Sequence, residues 1–275
     1  MEAPKRFRLM CVVAHPDDES LGMGGALAKY VAEGVETYVV TATKGERGRS
    51  GSKEPLTAEA VGHLREAELR AAASVLGVRE VNLLGYRDGE LDRANPTEAI
   101  GKIVAELRRV KPQVVLTFAP DGAYGHPDHI AICQFTTAAV ICAADGNYQD
   151  PKYTTSHRVS KLYYLAWGAE KWAAYQAALR KLVVMVDGVE RQATPWPDWA
   201  VTTRIETSTF VAQVWRAISC HQSQMAIYRQ LSDLSEEHHR SLWGSQEFYR
   251  ATSLVNGGRR LESDLFEGLR ETGDI

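Results

Sequence analysis

Cysteine is scarce in this chain, and what there is forms no pattern. Cys11, Cys133, Cys142 and Cys220 are the only four in 275 residues, and no two stand in a C-x-x-C pair. That spacing excludes a disulfide scaffold or a cysteine-rich metal knuckle; it fits reduced thiols in or near a core. Cys220 beside His221 does not make a nucleophile with its base, because adjacent residues on a helix point about 100° apart. Charge of one sign is also missing. The formal net charge is -3, so no polyanionic partner is favoured and no nucleic acid is expected. No apolar run approaches membrane-spanning length. Met1 to Arg8 is charged and leads directly into a strand pattern, without the apolar stretch and cleavage site of a secretory leader. A cytoplasmic protein without a membrane segment is expected. A dinucleotide fingerprint is absent too: Gly22-Met23-Gly24-Gly25 would need a glycine or alanine at position 27, which is Leu27.

What is present is alternation. Arg8–Ala14 is an apolar run of strand length, and a helix pattern follows over Gly24–Glu33. Strand patterns at Glu36–Thr43, Glu80–Leu84 and Val114–Ala119 interleave with helix patterns at Thr57–Leu76, Asn95–Val110 and Ile130–Ala144. Such alternation indicates right-handed βαβ units and an α/β, Rossmann-like, mostly parallel sheet of order 3-2-1-4-5 flanked by helices. In that order the winding reverses between strands 1 and 4, leaving a crevice at their C-terminal ends. Lys161–Trp167 reads as a fifth strand, Glu170–Leu182 as a helix and Val183–Gln192 as a hairpin around Asp187-Gly188. Trp196–Trp199 reads as loop, Thr207–Gln224 and Glu236–Arg250 as helices, and the polar tail from Asn256 as weakly ordered. No repeat or linker divides the chain. One domain over 1–275 is expected, with a core at 1–145 and a C-terminal α/β elaboration at 146–275 that shapes the substrate pocket.

Two segments fall at the ends of strands 1 and 4: Ala14-His15-Pro16-Asp17-Asp18-Glu19 and Gly125-His126-Pro127-Asp128-His129. A lone His or Asp at a strand end is more often a cap than a ligand. Two histidines and a carboxylate converging on one crevice are different, since they suffice to hold a divalent metal with one position open for water. A catalytic site of this kind uses three protein ligands, here His15, Asp18 and His129. Asp17 then stands free beside the water, with His126 and Asp128 opposite. The donor set suits Zn²⁺ best, and Fe²⁺, Co²⁺ or Ni²⁺ would also fit.

These two segments, with Tyr124 before the second, closely resemble the signature motifs of the PIG-L/LmbE-like zinc-dependent de-N-acetylases. Ser20-Leu21-Gly22 with Gly24-Gly25, Lys44-Gly45-Glu46, Arg65-Glu66-Ala67-Glu68 and Cys220-His221-Gln222-Ser223-Gln224 also look like family positions. Roughly the first 145 residues carry the resemblance, and the rest matches mainly through that last segment. The resemblance implies metal ligation by His15, Asp18 and His129, with Asp17 as general base. It implies that His126, oriented by Asp128 and protonated beside it, stabilises the oxyanion or protonates the leaving amine. Tyr124 matches a tyrosine that swings in to polarise the acetyl carbonyl, and Arg65 an arginine that contacts the sugar.

Asp88, after strand 3, reads either as a contact to sugar hydroxyls or as an ordinary turn residue. His221 and Gln224, three apart, share one helix face and are expected to line or support the site. The Trp196–Trp199 loop would either stack on sugar or cover the core. Arg47, Arg49 and Lys53 read as a solvated loop, with contact to an anionic substrate group as the lesser reading. The implied activity is removal of an N-acetyl group from a small amino-sugar glycoside. The rivals are an amidase for a larger acyl group, of the thiol-conjugate type, and a non-catalytic sugar-binding relative. The last would lack the base or a ligand, yet every motif position is filled. A homo-oligomer is compatible with the sequence and not required by it.

Overall fold

A computed structural model describes residues 6–52, 54–179, 183–186, 188–192 and 194–270. Lys53, Asp187 and the end of the expected helix at 180–182 lie outside the described residues. The elements run β1 (Arg8–Val13), α1 (Asp18–Ala32), β2 (Glu36–Thr43), α2 (Ala58–Leu76), β3 (Glu80–Tyr86), α3 (Pro96–Val110) and β4 (Val114–Thr117). They continue with α4, a distorted turn at Gly122–Gly125, then α5 (Pro127–Ala144), β5 (Lys161–Leu165), α6 (Ala169–Leu179) and a hairpin of β6 (Val183–Val186) and β7 (Val189–Gln192). β8 (Thr203–Glu206), α7 (Val211–Cys220), α8 (Met225–Ser232), α9 (Glu236–Trp243) and β9 (Ser245–Ser253) complete the chain.

The main sheet has the order β3-β2-β1-β4-β5-β9-β8. Its first five strands are parallel and carry the expected order 3-2-1-4-5. β9 and β8 add antiparallel strands at the far edge. Both faces of the parallel part are covered, so β1 and β4 are almost wholly apolar and buried, from Leu9 to Val13 and Val114 to Leu116. β1 and β4 pair directly, Leu9 with Val114 and Cys11 with Leu116, which brings their following loops side by side.

Four expectations are corrected. α1 begins at Asp18, not Gly24, so the first motif is itself the helix start. Glu236–Arg250 is a helix only to Trp243; after Gly244 the chain becomes β9. Thr207–Gln224 is not continuous: α7 ends at Cys220, and after His221 a single 3-10 turn occupies Gln222–Gln224. The tail is anchored through Leu265, Phe266 and Leu269, all buried, with Phe266 against Phe7 and Tyr30.

Candidate metal centre and active site

Two loops meet where β1 and β4 end. The first turns directly into α1, whose first-turn acids Asp18 and Glu19 suit the positive end of a helix. The second enters α5 with Pro127 at a position needing no amide donor, and His126 Nδ1 accepts the Asp128 N–H at 3.2 Å as the helix cap.

The ligands expected from the sequence come together. His15 Nδ1 lies 3.2 Å from His129 Nε2 and 3.6 Å from Asp18 Oδ2, and His129 Nε2 lies 3.4 Å from Asp18 Oδ1. A tetrahedral ion with bonds of about 2.0–2.1 Å sets its donors roughly 3.3 Å apart, so the spacing fits one cation. His126 joins His15 and His129 in a wider group of nitrogens close enough to share a cation.

Both imidazoles are pinned through their other nitrogen. His129 Nδ1 faces the Gly122 carbonyl at 3.2 Å, and Phe118 stacks on its ring at 3.9 Å. His15 Nε2 faces Asp128 Oδ2 and Asp88 Oδ1, each at 3.1 Å. Such outer carboxylates fix the tautomer and raise the basicity of the ligating nitrogen. Asp18 Oδ2 also accepts the His15 amide at 2.8 Å, closing the turn.

The charges are strongly perturbed. Burial opposes charge on His15, but Asp128, Asp88 and Asp18 outweigh it and raise its pKa to about 10. Burial and neighbouring Asp17 raise Asp18 to about 7 against the pull of His15. Asp88 would be raised by burial, yet His15 and the Arg47 amide hold it at about 2. His126 is pushed down to about 4 by burial and by the positive charge on His15.

This corrects the expected role of Asp128. Its carboxylate is taken up by His15 and by the amides of Gly89 at 2.7 Å and Leu91 at 3.1 Å. It therefore orients His15, not His126. His126 Nδ1 accepts the Asp128 amide, which leaves Nε2 to carry the proton, and burial disfavours the doubly protonated ring.

The side chains expected to contact substrate or support the site are engaged within the protein. The Asp88 carboxylate holds His15 and the Arg47 amide, the latter at 3.0 Å, rather than standing free for sugar hydroxyls. Arg65 is buried; it donates to Gly45 O at 2.7 Å, Pro16 O at 2.6 Å and Asp17 Oδ2 at 2.9 Å. Its guanidinium is engaged by Asp17 and two carbonyls while it borders the cavity. His221 is fully buried, with Nε2 3.0 Å from Glu19 Oε1. Glu19 Oε2 in turn accepts the Asp17 amide at 2.9 Å. Gln224 does line the cavity, while its amide donates to Arg49 O at 2.7 Å.

Asp17 thus has one oxygen, Oδ2, taken by Arg65 and by the Tyr228 hydroxyl at 2.7 Å. Among the described residues no hydrogen bond reaches Oδ1. Tyr124 lies edge-on to His129 with ring centroids 5.3 Å apart, and its hydroxyl is unbonded among the described residues. Burial and the nearby carboxylates push its pKa well up, so it is a phenol donor.

These groups line a cavity of about 700 Å³, the size that takes a small molecule. Its apolar wall comes from Leu165, Trp167, Tyr175 and the hairpin residues Val183–Val186. The Trp196–Trp199 loop is not part of that wall. Trp196 donates to Asp121 Oδ2 at 2.8 Å and so braces the Tyr124 loop, while Trp199 is exposed. Glu19 and Tyr228 carried no role in the sequence reading. Glu19 sat inside the motif and could have been found there; Tyr228 gave no signal.

The description PIG-L: GlcNAc-PI de-N-acetylase matches residues 10–140. The 1D-myo-inositol 2-acetamido-2-deoxy-alpha-D-glucopyranoside deacetylase of Streptomyces avermitilis is 33% identical, over 95% of this chain and 97% of its own. The mycothiol S-conjugate amidase of Streptomyces coelicolor is 30% identical, over 97% of this chain and 98% of its own. Among solved structures, a conserved protein from Thermus thermophilus superposes with a TM-score of 0.65 at 26% identity, covering 90% of this chain and 96% of that one.

Proposed function

The chain belongs to the PIG-L (GlcNAc-PI de-N-acetylase) family and is an amide hydrolase; we propose that it is a zinc enzyme removing the acetyl group from an N-acetylglucosaminyl glycoside of a small polyol. One observation carries this reading. Two imidazole nitrogens and the Asp18 carboxylate, close enough for a single ion, stand beside Asp17, whose Oδ1 accepts no hydrogen bond among the described residues.

His15, Asp18 and His129 would hold the ion, which when bound polarises a carbonyl and makes a water acidic enough to be deprotonated near neutral pH. Asp17 Oδ1 accepts the proton of the water that adds to the acetamide carbon. His126 Nε2–H and the Tyr124 hydroxyl donate to the carbonyl oxygen as it gains negative charge. When the C–N bond breaks, the proton on Asp17 passes to the departing nitrogen, leaving acetate and a free amine. With Nδ1 accepting from the Asp128 amide, His126 is suited to donating a hydrogen bond through Nε2.

The 33% identical deacetylase supports the acetamido glucoside of an inositol as first substrate, and the 30% identical amidase supports a larger acyl group as second reading. The test is release of acetate from that glycoside by zinc-reconstituted protein, run beside a thiol-conjugate amide. Asp17→Asn is expected to keep its metal and lower kcat by about 10²–10⁴. A variant as active as the parent would remove Asp17 from the mechanism. Turnover of the thiol conjugate alone would favour the amidase reading.

A further inference from the structure

We propose that Tyr228 is a positioning residue of this hydrolase: its hydroxyl fixes the carboxylate of Asp17 so that Oδ1 alone is presented to the reacting water. The inference rests on the reading of Asp17 as the base. The Tyr228 hydroxyl lies 2.7 Å from Asp17 Oδ2, the same oxygen that accepts from Arg65 at 2.9 Å. A carboxylate on a short side chain turns easily about its last bond, with two broad, nearly equivalent orientations. One donor on Oδ2 leaves that rotation available. Two donors from different elements, α2 and α8, remove it.

The local chain is built to deliver this contact. α7 stops at Cys220, and the break at His221 redirects the backbone through the Gln222–Gln224 turn into α8. From that one segment, His221 holds Glu19, Ser223 holds Glu68 through both its amide and its hydroxyl, and Tyr228 reaches Asp17. Glu19 accepts the Asp17 amide. The segment therefore grips the base loop through the backbone and the side chain of the same residue. Tyr228 also packs against the small buried cluster that contains Tyr175, Val214 and Trp243, which gives its ring a seat. Misplacing a reacting group by about 1 Å can cost on the order of 10² in rate, which is the scale at stake.

The test is Tyr228→Phe in the full chain, reconstituted with zinc, with acetate release from the acetamido glucoside of inositol as the assay. kcat is expected to fall about 10–100-fold, while KM stays within about twofold and zinc stoichiometry is unchanged. An unaltered kcat overturns the proposal. So does a fall matched by loss of zinc or by loss of folded protein, because the hydroxyl would then be merely structural. A second readout does not depend on turnover. Removing the hydroxyl is expected to lower the unfolding midpoint in the parent and to have no further effect in an Asp17→Gly background. Equal shifts in both backgrounds overturn the coupling. If the parent releases no acetate yet the midpoints are coupled, the assigned reaction fails and the positioning contact stands.

Discussion

Asp17 sits at φ 105° and ψ -27°, a conformation that favours glycine, and yet carries a carboxylate. The strained residue is held by its amide on Glu19 and by one oxygen on Arg65 and Tyr228, which suits the role proposed for it. Gly45 and Gly48 serve the same end. A Cβ at either position would lie 2.1 Å and 2.5 Å from Arg65 Nη1, so the Lys44-Gly45-Glu46 turn is the space in which the guanidinium lies. The identity of these residues was legible in the sequence, and their partners were not. His126 and Asp128 are two apart and were read as a pair. Capping turns the His126 Nδ1 toward the Asp128 amide, and the carboxylate swings to His15, 113 positions away. Asp128→Asn separates the two roles. It is expected to weaken zinc affinity about 10–100-fold in chelator competition, with kcat largely restored at saturating zinc. Unchanged affinity with a low kcat at saturation would return Asp128 to His126.

Elements with an apolar period were legible, and those whose buried faces are polar were not. β9 is the clearest case: Gln246 and Glu247 are buried, so no alternation marks the strand. Glu247 accepts from the Gly168 amide at 2.9 Å and from Arg204 Nε at 2.9 Å. The Gln246 side chain accepts from Ala26 N at 2.6 Å and donates to Gly22 O at 2.8 Å. Those two groups are four residues apart in α1, the acceptor and donor of one helical turn. A side chain from β9 is thus bonded to both groups of one turn of the helix that begins at Asp18. Gly25 in the same helix makes room for Thr207, which a Cβ there would meet at 2.8 Å. Gln246→Ala removes two buried hydrogen bonds between β9 and α1 and is expected to cost about 1–3 kcal/mol, read as a lower urea midpoint. No change would mean that α1 closes its own bond.

At the scale of the molecule, the first half of the chain builds the crevice and the second half returns beneath and beside it. The tail was expected to be weakly ordered because its composition is polar, but one of its charges is the hub of a buried network. Glu262 is 1% exposed and accepts from Lys161 Nζ at 2.6 Å, Thr203 Oγ1 at 2.7 Å and Tyr163 Oη at 2.9 Å. Arg250 Nη1 lies 2.8 Å away. The network joins β5, β8 and β9 to the tail, with the Arg204 amide on the Glu262 carbonyl. Burial would raise the Glu262 pKa, but Lys161, Thr203 and Asn256 outweigh it and hold the group at about 2. An unfolded glutamate titrates near about 4.3. The folded value is the lower one, so this contribution to stability is complete above roughly pH 5. It is lost as pH falls from there toward 2. Glu262→Gln leaves Lys161 buried without its counter-charge, which typically costs about 3–5 kcal/mol. Thermal midpoints of parent and variant measured between pH 2 and 7 are expected to differ most above pH 5 and to converge as the pH approaches 2. A gap that stays constant over that range would show that the loss comes from packing and not from the charge.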